Sequence, residues 1–142
     1  MSLLYRIVVF ALLLTVAIYG GWYGSAGWDS AFINERVFSA PFGWVEWASL
    51  ISWSFFLIFF FALGLLFAAL FGPPYSVWWA LALGCAYGFR YFRLSGHSFQ
   101  PDANWATYFF AYGTYFMPAL GAVAGAWFST VLARGRARRV GA

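Results

Sequence analysis

Charged residues are so sparse along this chain that they divide it into long apolar runs. Ile7 to Trp28 is uncharged over 22 residues, Trp47 to Phe89 over 43, and Ala103 to Ala133 over 31. A helix needs about 20 apolar residues to cross a hydrocarbon core of about 30 Å. The first and third runs are therefore one span each, and the middle run is two. Its break falls at Gly72-Pro73-Pro74, where consecutive prolines remove two backbone donors and disfavour helical geometry in the residue before each. The pattern predicts an all-α bundle of four transmembrane helices at about 5–23, 45–71, 75–93 and 104–133. These form a single transmembrane domain, with a basic tail at 134–142.

The first run also has the length of a secretory signal, with the small residues Gly24-Ser25-Ala26 after it. Only Arg6 precedes the run, however, and it continues through Trp22 and Tyr23, which suit a membrane interface. It reads as a retained helix.

Composition sharpens this picture. Hydrophobic residues make up 64% of the chain and charged residues 8%, against roughly a quarter charged in a soluble domain. That excludes a water-soluble globule and a disordered chain. One cysteine, Cys85, excludes an intrachain disulfide. All eight basic residues are arginine, and four of them (Arg134, Arg136, Arg138, Arg139) lie in the last nine residues. This tail reads as a cytoplasmic topogenic anchor, with no nucleic-acid partner implied. With four spans, Arg6 and the tail share one side, so both termini are expected in the cytoplasm. Five arginines then lie inside against three outside. The expected location is the bacterial inner membrane.

Small residues recur at four-residue spacing. The third helix carries Ala80, Gly84 and Gly88, and the fourth carries Gly113, Gly121, Gly125 and Ser129. Such stripes let backbones approach closely in lipid, where no hydrophobic drive brings helices together. They predict packing of helix three on helix four through Gly84, Gly88, Gly121 and Gly125, with a seam between two copies as the alternative. Pro118 predicts a kink in helix four. Tyrosines share faces at the same depth, Tyr87 with Tyr91 and Tyr108 with Tyr112 and Tyr115. They predict a tyrosine-lined contact between helices three and four.

Polar chemistry collects at the outer end, in Glu46, Arg90, Arg93, His97 and Asp102. Arg90 lies about 22 Å up helix three from Tyr75, at about 1.5 Å per residue. An arginine at that depth takes a partner, and Glu46 and then Asp102 are the nearest candidates for a structural ion pair. The functional alternative is a ligand site for an anionic or quinone-like headgroup, framed by Arg90, Arg93, His97, Tyr87, Tyr108 and Tyr112. A single histidine supplies neither a bis-histidine haem nor a zinc site unaided, so no metal or cofactor is expected. No Ser-His-acid set, nucleophile elbow or phosphate loop is present, and the apolar runs hold no acid for proton-coupled transport.

The reading is therefore a non-catalytic integral membrane subunit or assembly factor of a larger inner-membrane complex. Respiratory, photosynthetic, secretion and conjugation machines all fit, and the expected partners are other membrane subunits and the lipid bilayer. The alternatives are a homo-oligomeric small transporter or channel lined by the glycine stripe, and a quinone- or lipid-binding subunit.

Overall fold

The computed structural model describes residues 3–32, 44–72, 75–95 and 105–140. Four helices account for nearly all of them: α1 (Leu3–Phe32), α2 (Trp44–Phe71), α3 (Tyr75–Ser95) and α4 (Trp105–Val140). No strand occurs among the described residues. The turn between α2 and α3 begins at Gly72, whose φ of 68° only glycine adopts without strain. Its amide donates to the Ala68 carbonyl (3.1 Å), and its own carbonyl accepts from the Ser76 amide (3.3 Å).

Three of the helices are long and apolar enough to cross a membrane, over Leu3–Phe32, Trp47–Phe71 and Tyr108–Gly135. Exposed tryptophans mark two levels. Trp105 (79% exposed) stands at one end of α4, and Trp127 (62%) stands 22 residues on. That interval is about 33 Å of helix, close to the core thickness of about 30 Å. Trp22 lies at the Trp105 end and Trp78 at the Trp127 end, both exposed. Two threonine hydroxyls within the helices bond to their own backbone: Thr15 donates to the Ala11 carbonyl and Thr130 to the Ala126 carbonyl (both 2.9 Å). This is how a polar side chain is satisfied where water is scarce.

Two helix ends depart from expectation. α1 does not stop near Tyr23 but runs on to Phe32. Gly24 and Gly27 weaken helix locally, but packing holds the extension. Gly24 lets Phe55 of α2 approach, and Trp28 rests against Phe55 with centroids 6.0 Å apart. The Ser25 and Ser30 hydroxyls bond to the carbonyls of Trp22 and Gly27. α4 likewise continues past Ala133 to Val140, so the tail begins as helix. Pro118 sits fully buried inside α4, and the helix continues through it.

Successive helices run in opposite directions. α2 and α3 form a shared central edge, with α1 on one side and α4 on the other. Among the described residues, α1 and α4 do not meet. α1 and α3 run parallel in a fixed register: Arg6 lies over the Tyr75 ring, Phe10 packs against Trp79 and Trp22 against Tyr91, each pair 69 residues apart in sequence. α4 packs most extensively against α2. A Cβ on Gly64 would overlap the Ala122 carbonyl oxygen, and one on Gly125 would overlap the Phe61 carbonyl oxygen. A Cβ on Gly121 would lie 2.8 Å from the Leu57 carbonyl oxygen. The backbones of α2 and α4 thus touch along three turns.

The interior is filled with rings. Phe56, Phe60, Phe67 and Leu83 are fully buried, and Phe56, Phe60, Tyr87 and Tyr91 form a continuous aromatic stack with centroids 4.9 to 6.4 Å apart.

Candidate functional site

The small-residue stripes do not face one another as a pair. Gly84 and Gly88 of α3 do approach α4, but they meet the backbone at Pro118, Ala119 and Tyr115. Gly121 and Gly125 point to the other side, into α2. Each glycine row fits a different neighbour because α4 lies in the groove between α2 and α3. Gly113 of the same row admits the Trp53 ring of α2. The Trp53 indole N–H donates to the Thr114 hydroxyl (2.8 Å), while the rings of Phe109 and Phe110 flank it at 5.8 and 5.3 Å.

The tyrosines divide in the same way. Tyr91 meets Tyr115 at 5.7 Å, and Phe92 sits edge-on to Tyr115 at 5.2 Å. Tyr112 stacks on Tyr108 at 5.8 Å. An apolar cleft of about 320 Å³ opens here, with Tyr112, Tyr115, Phe89, Phe92 and Phe116 around Gly88. Tyr87 lies on the opposite side of α3 and points toward α1. The residues framed by sequence as one site therefore separate: Tyr108 and Tyr112 belong to the α3–α4 face, Tyr87 and Arg90 to the α1–α3 face. Arg93 is exposed in the last turn of α3. His97, Asp102 and the side chain of Glu46 lie outside the described residues, and with them the expected ion pair to Arg90.

The cleft on the α1–α3 face holds about 190 Å³. α1 contributes Ile18, Tyr19, Trp22 and Tyr23, and α3 contributes Tyr87, Arg90 and Tyr91. Tyr19 and Tyr23 stack nearly parallel (6.5 Å, 7°), and Trp22 meets Tyr91 edge-on (6.0 Å, 62°). At the back, Gly21 makes room for Tyr87, since a Cβ there would lie 2.7 Å from both the ring and the hydroxyl. Tyr87 is 2% exposed. Its hydroxyl has no hydrogen-bond partner among the described residues, an arrangement that costs a buried donor about 1–3 kcal/mol. Arg90 stands exposed at the rim.

Sequence reasoning missed the α1 half of this cleft. The signal was present as two pairs at four-residue spacing, Ile18 with Trp22 and Tyr19 with Tyr23. Nothing in one sequence says that this face of α1 meets α3. At the far end of α1, Asp29 is half-buried and its carboxylate accepts a hydrogen bond from the Ser52 hydroxyl of α2 (2.9 Å). No cluster of three or more His, Cys, Asp or Glu side chains suited to a metal occurs among the described residues.

Fold and site define an all-helical integral membrane protein, with three helices long and apolar enough to cross the bilayer and aromatic clefts on both sides of α3. No protein-family model, curated protein or solved structure matches the chain.

Proposed function

We propose that this chain is a small non-catalytic subunit or assembly factor of a larger complex in the bacterial inner membrane, crossing the bilayer four times with both termini in the cytoplasm. α3 is the span that hydropathy alone does not select. Its place among α1, α2 and α4, antiparallel to the last two, supports a fourth crossing, because a helix shielded by neighbours tolerates a less apolar face. Arg6 and the Gly72 turn share one end of the bundle with Trp127. The arginine bias assigns that end to the cytoplasm.

One observation carries the subunit reading. The interior is filled by Phe56, Phe60, Phe67 and Leu83, and the glycine rows are consumed by contacts within the chain. A pore lined by Gly121 and Gly125 would require α2 to leave α4. The surfaces left for function are the outer faces, where the partners are lipid and neighbouring membrane proteins. The test is purification from native membranes in mild detergent. Heterologous partners at fixed stoichiometry are expected. A homogeneous homo-oligomer that conducts ions after reconstitution would refute the proposal in favour of a channel.

A further inference from the structure

We propose that the α1–α3 cleft binds the head of a membrane quinone, a flat six-membered diketone ring whose isoprenoid tail lies in the surrounding lipid. Three features of the cleft point to this ligand class, and they hold whether or not the chain is a subunit. Its lining is aromatic: Trp22 meets Tyr91 edge-on, and Tyr19 and Tyr23 stack on each other. Such faces accept a planar ring in offset or edge-on geometry. At its back is a donor in need of an acceptor, the Tyr87 hydroxyl, buried and unpartnered among the described residues. At its rim is a second donor of a different kind, the Arg90 guanidinium. A diketone ring offers two carbonyl acceptors on opposite edges, one for each.

Size and depth agree. A cavity of about 150 Å³ admits benzene in a protein core, whereas sites that enclose a drug-sized ligand run from about 300 Å³. The cleft, at about 190 Å³, fits a substituted ring and leaves the tail outside. Arg90 lies about 22 Å along α3 from Tyr75, which puts the ring inside the outer leaflet, where a lipid-soluble molecule enters sideways. A phospholipid headgroup fits less well. Its phosphate would seek Arg90 at the rim and leave Tyr87 unused.

The test uses the full-length protein in dodecylmaltoside and a decyl-tailed benzoquinone, with binding followed by equilibrium dialysis. Saturable one-site binding is expected. Tyr87→Phe keeps the ring and removes the hydroxyl, so it should weaken binding about 2- to 12-fold while the thermal midpoint of the unliganded protein stays level or rises. A merely structural hydroxyl would not separate the two readouts in that direction. Ile18→Trp fills the cleft and should weaken binding more than tenfold. No saturable binding by the parent protein would overturn the proposal, as would affinity unchanged by Tyr87→Phe. Displacement of the quinone by phosphatidylglycerol that depends on Arg90 but not on Tyr87 would also overturn it, assigning the cleft to a lipid headgroup.

Discussion

Replacing Gly125 with alanine tests the seam between α2 and α4 with a single methyl group. The new Cβ would overlap the Phe61 carbonyl oxygen and lie 2.9 Å from its carbon and 3.1 Å from the Leu65 nitrogen. All three are backbone atoms, so no side chain can swing aside. Carbon contacts are comfortable at about 3.5–4.0 Å, so the helices must part by roughly 1 Å, a gap that forfeits a quarter to a half of each contact it opens. The same displacement loosens Gly64 against Ala122 and Gly121 against Leu57. Overpacking of this kind costs about 1–3 kcal/mol, and the better helix propensity of alanine returns up to about 1 kcal/mol. A net destabilisation of about 1–2 kcal/mol is expected. Gly135 lies ten residues on in the same helix, with nothing within 4 Å of a Cβ placed there. Gly135→Ala should therefore be neutral or stabilising by up to about 1 kcal/mol. The assay is reversible unfolding by SDS in mixed micelles, followed by circular dichroism. Equal shifts of the same sign for the two variants would refute a backbone-to-backbone seam.

The packing sets four further outcomes. Thr114→Val removes the acceptor for the Trp53 indole and should cost about 1–3 kcal/mol, because the N–H is left unpaired in an apolar setting. Trp53→Phe in the Thr114→Val background should cost less than in the parent, as a double-mutant cycle measures. Phe60→Ala empties the centre of the aromatic stack and should lower stability by about 3–5 kcal/mol in the same SDS titration. Ser52→Ala breaks the link from α2 to Asp29. It should cost about 1 kcal/mol and speed hydrogen exchange in the last turns of α1 relative to those of α4.

The number of helices was legible because charge is so rare here. Twelve charged residues leave little freedom in where membrane segments fall, and Gly72-Pro73-Pro74 marks the one break that charge does not. The end of α1 was not legible. Gly24-Ser25-Ala26 has the composition of a boundary, and only the tertiary contacts of Gly24 and Trp28 with Phe55 show why helix persists there. Glycine spacing identified surfaces of close approach without saying which surfaces meet. A four-residue repeat describes one face of one helix, and α4 has one face for α2 and another for α3. The tyrosines show the same limit. Tyr87 and Tyr91 share a stripe of α3, yet Tyr87 lies over Gly21 of α1 while Tyr91 meets both Trp22 of α1 and Tyr115 of α4. The sequence grouped Tyr87 and Arg90 with Tyr108 and Tyr112, whereas the structure sets them beside Ile18, Tyr19, Trp22 and Tyr23 of α1.

The central claim is that four helices cross the bilayer and bring both termini to the cytoplasmic side. Because Cys85 is the only native cysteine, a Cys85→Ala background allows each side to be probed with one new thiol at a time. Ser2→Cys, Asn34→Cys, Pro74→Cys, Ser98→Cys and Gly141→Cys sample the two termini and the three connections. A membrane-impermeant maleimide applied to intact spheroplasts should label the variants at 34 and 98, and should reach those at 2, 74 and 141 only after lysis. Labelling of positions 74 and 98 from the same side would contradict the account, because α3 would then not cross.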